Sequence, residues 1–254
     1  FRDWERSFSE TLGVNGFGLD LTAPYWSYKK PRTWEEGNMQ SLQYCRFIRE
    51  KGVIHEKAPI LLVHDSIAAA VPQSMAAKNL DELNMNDNTA LARVTSSTLK
   101  TMAAFAEDFN ATFLYLNQIR TKPGVVYGDP TTTPGGGSME FYSTTRIALG
   151  KEKITQKGPG GTEFIGVNVK IKCVKSKLTK PFQEVTLRLT FDEHGVAHFD
   201  KELSLIELLL DQKKLVSPRA GYVEWDGKQL SKRALADLVK KDALTPALVG
   251  LLST

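Results

Sequence analysis

Hydrophobic positions along this chain follow two different rhythms. In the first half, Ile60-Leu61-Leu62-Val63 and Thr112-Phe113-Leu114-Tyr115-Leu116 are short apolar runs, the pattern of strands buried in a parallel sheet. Phe1-Arg2-Asp3 reads as the tail of a further strand whose start is expected upstream. Helical spacing covers Glu36 to Glu50, and also Asn88 to Phe109, where Leu91, Val94, Leu99, Met102, Ala103 and Phe105 line one side. Alternation of strand, helix and strand predicts an α/β core with a mostly parallel sheet and helices on both faces.

After Tyr142 the rhythm shortens. Thr144 to Leu149, Phe164 to Val174 and Glu184 to Phe191 read as antiparallel strands, turned at Gly158-Pro-Gly-Gly161 and Asp192-Glu-His-Gly195. Beyond position 200, Leu203 to Leu210 and Lys232 to Lys241 read as helices flanking a short strand, Tyr222-Val-Glu-Trp225. The expected division is a core at 1–199, incomplete at its amino end, and a small α+β domain at 200–254.

Composition changes this picture little. With 254 residues, 41% of them hydrophobic, the chain can bury a substantial core. A net charge of +4, from 33 basic and 29 acidic residues, identifies no partner. Its distribution says more. Lys151, Lys153, Lys157, Lys170, Lys172, Lys175, Lys177 and Lys180 face only Glu152 and Glu163 within 151–180, enough to meet phosphates if the hairpin is not simply solvated. Cys45 and Cys173 form no disulfide framework or metal spacing, which fits a reducing cytoplasm. No apolar run reaches membrane-spanning length and no signal peptide is visible.

Candidate chemistry sits at strand ends. Asp65, followed by Ser66, closes an apolar strand, the place where an α/β nucleotide enzyme holds Mg²⁺ or its water. Asn117 and Gln118 close the next strand, and the loop from Thr121 to Ser138 is longer than an ordinary connection. Its Gly135-Gly136-Gly137 run would let backbone amides approach a phosphate, and Arg120 and Lys122 add charge. Val125, Val126 and Tyr127 could lodge between bases. Arg93 and Lys100 are seven apart and share a helical face with Ser96. His194 and His198 flank a hairpin glycine and are set aside as metal ligands.

Four segments carry a resemblance: Tyr115-Leu-Asn-Gln-Ile-Arg120, Thr131-Thr-Thr-Pro-Gly-Gly136, Phe141-Tyr142 and Lys172-Cys-Val-Lys-Ser-Lys177. Together with Ala68-Ala-Ala70-Val-Pro72, which follows Asp65 and Ser66, they resemble the RecA family of recombinases. The resemblance implies a RecA-like ATPase core that uses ATP and Mg²⁺, and polymerises on single-stranded DNA to pair it with homologous duplex. It implies Glu5 as the residue that activates water, Gln118 as γ-phosphate sensor, and Lys175 and Lys177 as cations supplied to a neighbour's nucleotide. Asp65 and Ser66 would lie at the metal and nucleotide, and Phe191 against adenine. Arg93, Ser96, Lys100, Arg120, Lys122 and Gly135 to Gly137 would meet DNA, the first DNA loop being Pro72 to Thr89. Phe141 would relay nucleotide state across the subunit interface of a homo-filament.

The chain also departs from the pattern. Pro123 and Thr131 replace family residues in the long loop, Arg6 to Leu12 is shortened, and Ala76 to Asn88 diverges. No Gly-x-x-x-x-Gly-Lys-Ser/Thr occurs in the chain, so the phosphate loop is expected before Phe1. The divergence, and the lack of an acidic tail after Asp242, suggest a phage-encoded or remote homologue in a bacterial cytoplasm. Two rivals stand beside the recombinase: a non-catalytic DNA-binding or filament-regulating paralogue, and a ring helicase or clock-type ATPase on the same core.

Overall fold

The computed structural model describes residues 1–82, 89–121, 124, 127, 131–158, 160–192 and 194–253. They form two compact units, Phe1–Ser143 and Thr144–Thr254.

The first unit contains β1 (Arg2–Asp3), α1 (Trp34–Glu50), β2 (Ile60–Asp65), α2 (Gln73–Ala76), α3 (Ala90–Asp108), β3 (Ala111–Tyr115), β4 (Arg120–Thr121), β5 (Thr131–Thr132) and α4 (Ser138–Tyr142). Strands β1, β2 and β3 pair side by side, all parallel, with Asp3 opposite Asp65 and His64 opposite Tyr115. The mixed α/β fold with a parallel sheet is therefore present as the apolar runs implied. Thr33 starts α1, its side chain accepting from the Glu36 amide at 3.1 Å, while Glu36 accepts from the Arg32 amide at 2.6 Å. These bonds satisfy donors that a helix start otherwise leaves unpaired.

Strand alternation sorts the sheet's two faces. Ile60, Leu62 and Ala111 are buried with Cys45 and Ile48 of α1, and Leu99 of α3 is buried with Trp34, so both helices lie on this face. On the opposite face Leu61 and Leu114 stay 61% and 44% exposed. Parallel sheets usually have both faces covered. Trp4 follows β1, stacks on Trp34 at 6.0 Å between centroids, and donates its indole N–H to the Thr33 carbonyl at 3.1 Å. Its ring lies so close to Gly37 that a Cβ there would sit 2.2 Å from Trp4 Cζ2. Gly37 is thus required by packing despite its poor helix propensity.

Buried polar residues tie the unit together. The Arg2 guanidinium donates to the carbonyls of Phe1, Ser27 and Gln40. Asp3 accepts from the amides of Arg6 at 2.6 Å and Phe8 at 3.1 Å and from the Tyr28 hydroxyl at 2.8 Å. Burial raises the Asp3 pKa, but the Tyr28 hydroxyl and the Phe8, Arg6 and Ser7 amides outweigh it, leaving the carboxyl below its ordinary value. The carboxylate fixes the turn around Glu5.

The second unit contains β6 (Thr145–Gly158), β7 (Gly161–Ser176), β8 (Glu184–Phe191), β9 (Ala197–Asp200), α5 (Lys201–Asp211), β10 (Tyr222–Trp225), β11 (Lys228–Ser231), α6 (Lys232–Lys241) and α7 (Thr245–Gly250). Strands β6 to β9 form an antiparallel meander. Asp192 organises the β8–β9 turn, accepting from the His194 and Val196 amides and pairing with His198 at 3.0 Å. Leu203, Ile206, Leu209, Val223, Leu235, Val239 and Leu248 make one core for the helices and the β10–β11 hairpin. Asp200 and Ser231 cap α5 and α6 through their side chains. The meander groups with these helices, so the compact units meet at Ser143/Thr144, and the boundary expected at 199/200 falls inside the second unit.

Candidate nucleotide and DNA site

Parallel strands that end on one side of a sheet bring their trailing residues into one crevice. Glu5 comes just after β1, Asp65 ends β2, and Gln118 lies three residues past β3. The backbone fixes their approach. The Asp65 carbonyl accepts from the amides of Trp4 at 2.7 Å and Glu5 at 3.4 Å, the Ile67 amide donates to the Leu116 carbonyl at 3.0 Å, and the Leu116 amide donates to the His64 carbonyl at 2.9 Å.

The side chains complete the arrangement. The Ser66 hydroxyl donates to Glu5 Oε1. Gln118 Nε2 points at the same oxygen from 3.5 Å, the long limit of a hydrogen bond. Burial raises the Asp65 pKa, and the nearby charges of Glu5 and Asp3 raise it further. Four residues expected from sequence to act together, Glu5, Asp65, Ser66 and Gln118, are therefore neighbours.

The negative charge concentrated at these strand ends suits a divalent cation. Among the described residues no cluster of three or more His, Cys, Asp or Glu side chains forms a metal site. Mg²⁺ is commonly held by one or two carboxylates together with waters and substrate phosphates.

Asn117, read from sequence only as strand-end support, has a more specific place. Its Nδ2 donates to the Pro134 carbonyl at 2.8 Å, and its Oδ1 accepts from the Gln118 amide at 2.9 Å. One side chain joins the Gln118 backbone to the far end of the long loop. The loop's base is also closed by pairing of Arg120 with Thr132 and Thr121 with Thr131.

The glycine run divides in its environment. Gly135 is buried, at φ +89°, and a Cβ there would lie 3.4 Å from Ile67 and Thr95 side-chain carbons. Its lack of a side chain serves the turn, since the contacts around it are ordinary van der Waals distances. Gly136, at φ +72°, abuts Ala92, whereas Gly137 is exposed with open space around its Cβ direction. Arg93, Ser96 and Lys100 lie exposed along one side of α3, with Arg93 donating to Thr89 Oγ1 at 3.2 Å. Arg120 is exposed, as is Phe141 at 73%, set edge-on to Tyr142. Lys122, Pro123, Val125 and Val126, with residues 83–88 of the first loop, lie outside the described residues.

Lys175, Lys177 and Phe191 belong to the second unit. Lys177 is exposed past the end of β7, where its amide donates to the Thr144 carbonyl at 2.9 Å. Lys175 is half-buried and lies opposite Arg146 in the β6–β7 ladder. Phe191 packs against Phe164 with centroids 5.8 Å apart and is 42% exposed.

Sequence reasoning missed His64. It is fully buried, with Nε2 3.1 Å from Ser41 Oγ and its ring 4.6 Å from the Tyr115 ring. Burial, and secondarily the Arg2 cation, lower its pKa to about 3, so it is neutral at ordinary pH. Its place in an apolar strand, next to Asp65, was the only signal.

Comparison with known proteins identifies the family. The family model for the RecA N-terminal domain matches residues 37–197. Protein RecA of Mannheimia haemolytica is 25% identical over 225 residues, covering 89% of this chain and 54% of that protein. Protein RecA of Thermus aquaticus is 34% identical over 152 residues, 60% of this chain and 42% of that protein. Protein RecA of Mycoplasma mobile is 28% identical over 239 residues, 93% and 64% respectively. The chain spans about half the length of the curated relatives it matches. With most of its length matched by that family model, and its strand ends arranged as described, the chain belongs to the RecA family.

Proposed function

We propose that the protein is an ATP-dependent homologous recombinase that forms filaments on single-stranded DNA and promotes pairing and strand exchange with homologous duplex. The observation that carries this reading is the convergence of Ser66 and Gln118 on one oxygen of the Glu5 carboxylate at parallel strand ends, beside Asp65. A base, a metal-shell carboxylate and an amide sensor within reach of one another are what phosphoryl transfer to water needs.

In this reading Glu5 orients the attacking water and accepts its proton. Gln118 donates its amide to the γ-phosphate. Asp65 would hold the hydration shell of a Mg²⁺ ion, whose charge would offset the negative charge that develops in phosphoryl transfer. Lys175 and Lys177 act on a neighbouring subunit's nucleotide, Phe191 packs on adenine, and Phe141 carries nucleotide state across the filament interface. Arg93, Ser96, Lys100, Arg120, Lys122, Gly135, Gly136 and Gly137 meet the DNA backbone. Residues 1–199 serve as the ATPase and DNA-binding core and 200–254 as an accessory domain. The place of work is a bacterial cytoplasm, that of the host if the gene is phage-borne. No helix among the described residues is long and apolar enough to cross a membrane.

ATP hydrolysis by the natural full-length protein, with and without single-stranded DNA at fixed salt, tests the reading. DNA-stimulated turnover that Glu5→Gln abolishes supports it. Absence of turnover with retained, salt-sensitive DNA binding would instead make the protein a non-catalytic paralogue.

A further inference from the structure

We infer that Trp4 is a positioning residue for Glu5, and that the side-chain-free face of α1 at Gly37 is the seat that fixes it. The inference rests on the proposed reading of Glu5 as the residue that activates water, and adds to it the part of the fold that aims the carboxylate.

Glu5 needs such a support. It is exposed and lies beyond β1, a strand of two residues whose register with β2 ends at Asp3 opposite Asp65. Its own amide makes only a long contact with the Asp65 carbonyl, at 3.4 Å. The next residue, Arg6, has a left-handed backbone at φ +58°, its amide turned back onto the Asp3 carboxylate at 2.6 Å. Glu5 therefore stands on the corner of a turn, and little of its own holds it there. Trp4, its neighbour in sequence, has the opposite environment and is 7% exposed.

Trp4 straddles the first turn of α1. Its indole N–H donates to the Thr33 carbonyl at 3.1 Å, the same oxygen that accepts the Gly37 amide at 3.2 Å. The six-membered ring lies on Gly37, so close that no β-carbon fits between them, and its plane is 20° from that of Trp34. Trp34 is fully buried in turn and donates its own N–H to Thr98 Oγ1 of α3 at 3.1 Å. Two helices thus grip a rigid ring one residue away from the exposed carboxylate. Displacing the ring displaces the Glu5 backbone, and misplacing a reacting group by about 1 Å can cost about 100-fold in rate.

A size exchange between the two partners tests this. Gly37→Ala drives a β-carbon into the Trp4 ring and forces the indole off its seat. Trp4→Phe removes the outer ring atoms, Cζ2 and Cη2, that this carbon would strike, so the double variant has room again once Pro31 Cγ, at 3.1 Å, gives way slightly. The readout is steady-state ATP hydrolysis by the full-length protein on saturating single-stranded DNA, at a temperature where every variant is folded. Gly37→Ala should lower kcat about 10-fold while KM for ATP stays within about twofold. Trp4→Phe should lose less, and the double variant should recover to the Trp4→Phe value. Ile48→Val, which trims a separate core cluster on the same helix, controls for lost stability and should leave kcat unchanged. Wild-type kcat in Gly37→Ala, an equal loss in Ile48→Val, or additive losses in the double variant would each overturn the inference. Hydrogen exchange at the Trp4 and Glu5 amides, faster in Gly37→Ala and restored in the double variant, reads the same displacement without turnover. Should wild-type protein show no hydrolysis that Glu5→Gln abolishes, the recombinase reading fails, whereas unchanged exchange across these variants would overturn the positioning role on its own.

Discussion

Asn117 Nδ2 donates to the Pro134 carbonyl at 2.8 Å, spanning 17 positions of sequence between the end of the third parallel strand and the end of the long loop. A side-chain bond across a loop makes the loop's exit move with its entrance. Asn117→Ala should lower DNA affinity measured with a non-hydrolysable ATP analogue by about 5-fold, the loss of one hydrogen bond of about 1 kcal/mol. Nucleotide affinity should stay within about twofold. Asn117→Asp keeps the acceptor for the Gln118 amide and loses only the donor to Pro134, so it should reproduce the defect if the Pro134 bond is the one that matters.

Gln118→Ala should bind nucleotide as wild type does while its DNA affinity ceases to respond to nucleotide. Titrations of DNA binding with and without analogue check this, and an undiminished response would remove Gln118 from the sensor role. Gln118→Asn, one methylene shorter, should fail in the same way.

Gly37→Ala should destabilise the first unit although alanine is the better helix former. The added Cβ would lie 2.2 Å from the Trp4 ring, and overpacking of this kind costs about 1–3 kcal/mol. Thermal unfolding should show a midpoint lower by several degrees. An unchanged midpoint would mean that Trp4 has room to move.

His64 gives the stability a direction with pH. Its folded-state pKa is depressed to about 3, whereas the unfolded chain titrates near the ordinary value of 6.5. Between these values the unfolded chain binds the extra proton, so stability is present above pH 6.5 and is lost as pH falls toward 3. The slope from this residue is at most about 1.4 kcal/mol per pH unit. Denaturant titrations of wild type and His64→Leu between pH 7 and 4.5 should show a flatter pH dependence in the variant.

The grouping of Glu5, Asp65 and Gln118 was legible only through the family resemblance; the structure adds the physical reason, three parallel strands that pair in the order β1, β2, β3 and end on the same side. Which face of β2 and β3 is buried was not legible, because both segments read as unbroken apolar runs in sequence. Single polar partners were not legible. Nothing along the chain says that Asn117 reaches Pro134, or that His64 points inward to Ser41. The three glycines look alike in sequence, yet Gly135 is buried on α3 and Gly137 is open, a distinction made only by the path of the backbone. Gly37 reads as a blemish in a helical pattern until Trp4 is seen against it.

Leu61 and Leu114, diagonal to one another in adjacent strands on the far face of the parallel sheet, have a practical consequence at the bench. Sulfate and other excluded salts strengthen apolar association, while nucleic-acid binders are usually washed in high salt to strip contaminating DNA. The choice of anion then decides the fate of the preparation: chloride removes DNA and leaves these leucines hydrated, whereas ammonium sulfate drives them together.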